Sequence, residues 1–376
     1  MKIVSLGLYN PIPINTGSDS YVYYLLNSIN KNNEILHYYF TKLKSNQGRF
    51  PDNINFQTKY LESIFSKKIP KEKIPRIFQY PRFDLLLDKS DINKIKADII
   101  ICDIVTYIVA KYISRKNNIP LILVEHDIEW KKLKSDSSLF YIPMMIYEKS
   151  IFKKVNAITT ISMSDYQYVT KFIDKNKVFY IRPAFDSFIY TPKGPSYDFG
   201  KDKINLLFYG SLDRPMNIQA LNFIKNSLIP LLQKEHMLQK IRINIFGSGI
   251  PPKHFKLEKD KNINYLGVVK NPGEYIRGAD LVIVPVKNVG GTKVRVLETL
   301  FCGKPVIVMP EVVAGLPNEF KKFIFIEKDA KGFLKIIKQF LEKPTEFKIN
   351  DKIIENYLKK CTTMQDVIEN VLLIKK

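Results

Sequence analysis

The feature that most limits what this chain can fold into is its alternation. Short apolar runs of strand length are separated, from one end to the other, by stretches with helical spacing. In the first half the strand candidates are 2–8, 34–40, 97–105, 120–124, 157–161 and 178–181; in the second they are 205–209, 242–246, 264–268, 281–286, 305–309 and 323–326. Strands that alternate with helices predict β-α-β units and parallel sheets. The segment 218–233 shows the helical half of the pattern, with Leu221, Ile224, Leu228 and Leu231/Leu232 on one face.

At 376 residues the chain exceeds one ordinary core, and a divisor of about 150 residues per domain predicts two. Arg182-Pro183-Ala184-Phe185-Asp186 closes the first series, and Thr191-Pro192-Lys193-Gly194-Pro195-Ser196 follows with turn formers, which places the linker near 184–202. The expected layout is a first α/β domain over 1–190, a second over 200–348, and helices over 350–376 that cross back to brace the first. Two parallel-sheet domains make a cleft, and such sheets bind ligands beyond the carboxyl ends of their strands.

Lys and Arg total 59 against 37 Asp and Glu, a net charge of +22. That excess fits an anionic partner (nucleic acid, a phosphate-bearing substrate or a membrane surface) or simply a lysine-rich solvated surface. Cys102, Cys302 and Cys361 are odd in number and far apart, so neither a disulfide framework nor a zinc site is expected and a reducing cytoplasm fits. No stretch approaches the ~20 apolar residues of a membrane span, so membrane contact is expected to be peripheral.

One stretch carries the chemistry. In Val289-Gly290-Gly291-Thr292-Lys293-Val294-Arg295-Val296-Leu297-Glu298, two glycines permit close backbone approach and a helix starting near Thr292 presents unpaired N–H groups. Lys293 and Arg295 add full charges to that helix end, so a phosphate or diphosphate is the natural ligand. A plain β-α turn would also use the glycines. Glu298 is harder to explain as structure, because it falls among apolar residues where an unpaired carboxylate is costly. A ribose diol would satisfy it.

These residues, with Cys302-Gly303-Lys304-Pro305-Val306-Ile307 after them, resemble the donor-binding signature of retaining, metal-independent GT-B glycosyltransferases of the group 1 type, family four. The resemblance spans nearly the whole chain. Tyr209-Gly210-Ser211-Leu212-Asp213-Arg214-Pro215-Met216-Asn217 is similar to the loop that opens the family's second domain, and Ile245-Phe246-Gly247-Ser248-Gly249 to the glycine loop flanking the base. Glu125-His126-Asp127-Ile128-Glu129 and Tyr147-Glu148 resemble first-domain segments of the family.

The resemblance implies two Rossmann-like domains and a donor site of Gly210, Arg214, Gly247, Gly290, Gly291, Thr292, Lys293, Arg295 and Glu298. It implies that His126 contacts the transferred sugar, and that Gly17, Ser18 and Asp19 form an acceptor-side or phosphate loop. That loop also reads as an ordinary turn with Ser18 or Asp19 as N-cap. No cofactor and no metal are expected; the donor is a nucleotide diphosphate sugar, and the acceptor a glycan, lipid-linked or protein-linked group. Gly290 stands where many relatives carry a first glutamate, so the contacts to the sugar differ here.

Two basic and apolar runs, 66–76 and 130–134, are either solvated surface or a lipid-facing patch on the cytoplasmic membrane face. Two other functions share these features. A nucleotide-sugar 2-epimerase of the same fold would turn over donor without acceptor, and a polyanion binder would bind nucleic acid in a salt-dependent way. Nucleic acid is not expected as a partner, because no aromatic and basic motif of a known binding module is present.

Overall fold

The computed structural model describes residues 1–14, 17–29, 31–41, 54–61, 95–135, 138–181, 189–287, 292–313 and 316–375. Contacts divide the chain into two units, Met1–Ala184 with Cys361–Lys376, and Phe185–Lys360.

The first unit holds a seven-stranded sheet with the order β3-β2-β1-β4-β5-β6-β7. The strands are β1 (Lys2–Tyr9), β2 (Glu34–Thr41), β3 (Gln57–Tyr60), β4 (Ile99–Cys102), β5 (Leu121–Glu125), β6 (Ala157–Thr160) and β7 (Val178–Tyr180). Every pairing is parallel. Every residue of β4, β5 and β6 is buried, as expected when helices cover both faces, which is why β4 and the first four residues of β5 read as unbroken apolar runs. Sequence patterning missed β3. It is a half-exposed edge strand reading Gln-Thr-Lys-Tyr, and polar edges carry no apolar signal.

The second unit repeats the plan with six parallel strands in the order β10-β9-β8-β11-β12-β13. These are β8 (Ile204–Tyr209), β9 (Ile241–Phe246), β10 (Ile263–Tyr265), β11 (Leu281–Val284), β12 (Val306–Val308) and β13 (Ile324–Ile326). The long helix expected over 218–233 exists in three pieces: Pro215–Phe223, a π turn at Ile224–Leu228, and Ile229–Lys234. Pro230 offers no N–H for the preceding turn, and a π turn is one way a helix absorbs that loss.

Both sheets reverse their strand order once, between β1 and β4 in the first unit and between β8 and β11 in the second. Helices leave opposite faces at such a point, which opens a crevice at the carboxyl ends of the two strands.

The C-terminal segment divides. The helix Asp351–Lys360 stays with the second unit, where Tyr357 packs against Phe301 and Phe320 at ring separations of 5.8 and 5.2 Å. The helix Met364–Lys375 belongs to the first unit. A bridge from Ile181 to Thr362 and a hydrogen bond from Asn33 Nδ2 to Gln365 Oε1 (3.2 Å) tie this segment there. The return therefore begins at 361, later than the 350 expected from sequence.

Candidate active site

At the β8/β11 reversal, β8 ends on Tyr209 and the chain turns through Gly210, whose φ of +146° few side chains tolerate. A Cβ on Gly210 would collide with the guanidinium of Arg295 and crowd the Asn217 amide. A Cβ on Gly247, at the end of β9, would overlap the Gly210 carbonyl. Glycine at both positions lets two loops and an arginine occupy one small volume.

The loops are stitched together. Leu212 N donates to Ser248 O at 2.7 Å, and the Ser211 and Ser248 hydroxyls lie 3.0 Å apart. Asn217, 2% exposed, sits in the first turns of the Pro215–Phe223 helix. Its Nδ2 donates to Ser211 O (2.7 Å) and its Oδ1 accepts from Arg295 Nη2 (3.0 Å). The Arg295 guanidinium lies over the rings of Phe208 and Tyr209, 5.4 and 5.6 Å from their centroids. Its Nη1 has no hydrogen-bond partner among the described residues. Burial pulls its pKa below the usual arginine value, yet a guanidinium stays charged in proteins. Arg295 thus props the Gly210–Asn217 loop from below with a positive charge.

The Thr292–Phe301 helix directs its amino end toward the same crevice. Glu298 is 9% exposed. The Tyr209 hydroxyl lies 2.9 Å from the Arg295 carbonyl, 3.1 Å from the Thr299 hydroxyl and 3.4 Å from Glu298 Oε2. With one hydrogen to give, Tyr209 favours the nearest acceptor, and the carboxylate takes the long, weak end of the set. Burial, then the Glu298 charge, raises the Tyr209 pKa far above its usual value, so it remains a neutral donor.

Of the residues expected from sequence, Gly210, Gly247, Arg295 and Glu298 converge here. Arg214 is exposed at the N-cap of the Pro215–Phe223 helix. Thr292 and Lys293 open the Thr292–Phe301 helix. Gly290 and Gly291 lie outside the described residues. Tyr209, Ser248 and the supporting role of Asn217 were not singled out from sequence, because each acts through a contact distant along the chain. Exposed Ile250 (83%) and Val268 (72%) follow β9 and β10 and give this sheet end an apolar surface that sequence reading had also passed over.

In the first unit, His126 follows β5 directly. Its ring meets Tyr21 edge-on, centroids 4.6 Å apart, and burial lowers its pKa to about 4. The imidazole is therefore neutral at pH 7. Glu125, 2% exposed, is pushed well up by burial and by Glu148, with Glu129, Asp103 and Asp165 adding to the effect. Glu148 accepts from the backbone N–H of Glu129 (2.8 Å) and so anchors the turn that carries His126. Asp103 closes β4 beside them and accepts from Thr106 N at 2.8 Å. The helix starts at Gly17, so Ser18 and Asp19 fall inside its first turn rather than at its cap.

Residues 203–343 match the family model described as Glycosyl transferases group 1. HepE of Anabaena in complex with UDP is similar in structure at 15% identity and a TM-score of 0.61, covering 100% of this chain and 98% of that one. Sucrose-phosphate synthase from Thermosynechococcus elongatus gives 14% identity and a TM-score of 0.68 over 100% and 98% of the two chains. WaaG, a glycosyltransferase involved in lipopolysaccharide biosynthesis, gives 12% and 0.63 over 99% of both. At such identities the likeness speaks to the fold, which is GT-B with two Rossmann-like units. No curated protein matches the sequence.

Proposed function

We propose that this chain is a glycosyltransferase of the group 1 kind, whose family model its residues 203–343 match, and that it moves a sugar, with retention and without a metal, from a nucleoside diphosphate to a glycan, lipid-linked or protein-linked acceptor. The observation that carries this reading is the amino end of the Thr292–Phe301 helix opening at the β8/β11 reversal, with Glu298 on the same helix. A diphosphate at that helix end meets the helix dipole, Lys293, Arg214 and the charge of Arg295 beneath the Gly210 loop. The attached ribose then reaches Glu298 on the same helix. The base lies toward Ile250 and Val268.

Charge developing on the leaving diphosphate is stabilised by groups already in place, which is the most effective form of electrostatic catalysis. His126, neutral at pH 7, contacts the transferred sugar as a hydrogen-bond partner rather than as a cation. Gly17, Ser18 and Asp19 serve as the acceptor-side or phosphate loop. UDP is the first nucleotide to test, since HepE binds it, and the work is done in the cytoplasm. Among the described residues no helix is long and apolar enough to cross a membrane.

The test is a thermal shift of the purified chain, in chelator, against UDP, GDP, ADP, dTDP and their sugar conjugates. A ligand at 100 times its Kd stabilises by about 2.7 kcal/mol, or roughly 5–10 °C for a unit of this size. Stabilisation by one nucleotide family is expected. Indifference to all of them, with a shift on single-stranded nucleic acid, would overturn the reading.

A further inference from the structure

Leu139, Phe140, Ile142 and Ile146 stand in water on one short stretch of the first unit, 88%, 42%, 48% and 64% exposed. The last two lie on the helix Tyr141–Phe152, Tyr-Ile-Pro-Met-Met-Ile-Tyr-Glu-Lys-Ser-Ile-Phe, which is apolar nearly all round. Its inner face is accounted for, with Met144, Glu148, Ile151 and Phe152 buried. The outer stripe runs Ile142, Ile146, Lys149, Lys153 at spacings of four, three and four. A helix on the outside of a soluble unit carries polar residues on that stripe, so bulky apolar ones there mark a contact surface.

The rim is cationic. The Lys134 ammonium lies 5.7 Å from the Tyr141 ring centroid, Lys149 lies 5.2 Å from that of Phe172, and Lys153 and Lys154 are exposed. Glu148, the acid on this helix, is buried. A second copy of the chain would set this rim against its like, on a protein carrying +22, and like charges across an interface repel. An anionic lipid surface suits both parts: apolar side chains enter the boundary between headgroups and acyl chains, and lysines reach the phosphates, each contributing through a screened attraction.

We propose that the Leu139–Ile146 face docks this enzyme onto an anionic lipid bilayer. It differs from the patch expected from sequence. Of the two basic runs, 66–76 lies outside the described residues. In 130–134, Trp130 donates to the Tyr168 hydroxyl (3.1 Å), Leu133 packs on the core and Lys131 pairs with Asp165 at 2.9 Å. Those three side chains are occupied; Lys134, at the end of the run, joins the rim, and the exposed apolar surface is one helix further on. The inference deepens the proposed function and rests on it only in supplying a lipid-linked acceptor; docking itself needs no donor.

The test is cosedimentation of the full chain with vesicles of phosphatidylcholine alone or mixed with phosphatidylglycerol, with neither donor nor acceptor present. Binding to the mixed vesicles, weak on phosphatidylcholine and falling with salt, is expected. The double variant Ile142→Asp/Ile146→Asp should lower the partition constant at least about tenfold, while keeping the melting temperature and any nucleotide-induced thermal shift. Wild-type indifference to the mixed vesicles, or equal binding by the variant, would sink the proposal. So would a dimer in vesicle-free solution that the double variant breaks, since the face would then serve self-association. The nucleotide shift is read separately, so failure of docking and failure of the transferase reading leave different signatures.

Discussion

Replacing Asn217 by alanine tests whether Arg295 is a prop for the donor loop. The Asn217 side chain is the only link between Arg295 Nη2 and Ser211 O that the described residues provide, at 3.0 and 2.7 Å. Its removal leaves both terminal nitrogens of a buried guanidinium without a partner among the described residues, since Nη1 already has none. A hydrogen bond to a charged group contributes about 1.5–3 kcal/mol and a neutral one about 1 kcal/mol, so the loss should be about 2–4 kcal/mol. For a unit of this size that lowers Tm by roughly 6–12 °C. Scanning calorimetry reads it as a shift of the second unit's transition alone, with the first unit as internal reference. Donor affinity should fall with it, because the Gly210–Asn217 loop loses its support. A change below about 0.5 kcal/mol would mean that Arg295 is held by something else, and the prop would have to be abandoned.

Other residues give independent checks. Glu298→Ala should keep the fold and weaken nucleotide binding by roughly 10- to 150-fold, the equivalent of about 1.5–3 kcal/mol; unchanged affinity in titration calorimetry would remove the ribose assignment. Gly247→Ala must displace the Gly210 carbonyl, at a cost of about 1–3 kcal/mol, and should abolish the nucleotide shift; a variant that melts and binds like wild type would show the loops to be looser than described. Burial, opposed by bonds from Glu129 N and Trp130 N, raises the Glu148 carboxyl to about 8. A raised folded pKa means that the protonated form is favoured in the fold, so its stabilisation is full below the unfolded value near 4.5 and is lost as pH rises toward about 8. Urea midpoints should fall across that window for wild type and fall less for Glu148→Gln, and identical slopes would place the proton elsewhere.

How much was legible in the chain depended on whether the signal was local. Strands such as Ile99–Cys102 and Leu281–Val284 announced themselves because burial on both faces leaves no polar residue to interrupt the run. Gln57–Tyr60 did not, because an edge strand can afford polar side chains. The site split along the same line. Glu298 drew notice because a carboxylate is odd among apolar neighbours, whereas Gly210 and Gly247 were marked only by the family resemblance of their loops. The geometry of Arg295 could not be read: charge beside a glycine turn suggests phosphate, and only the fold shows Nη2 bonded to Asn217, which lies 78 positions earlier in the chain.

The Tyr141–Phe152 helix shows the same limit from the other side. A helix apolar nearly all round reads from sequence as a buried one, and nothing local distinguishes Met144, which is buried, from Ile146, which is not. The fold decides it: Glu148, whose carboxyl accepts from the backbone of Glu129, points inward with Met144, Ile151 and Phe152. The residue that positions the His126 turn therefore shares the inner face opposite Ile142 and Ile146. Acceptor-side chemistry and the proposed lipid contact hang on one helix, so a substitution that rotated it would be expected to disturb both, whereas Ile142→Asp/Ile146→Asp, which leaves the Glu148 bond alone, should disturb only the second.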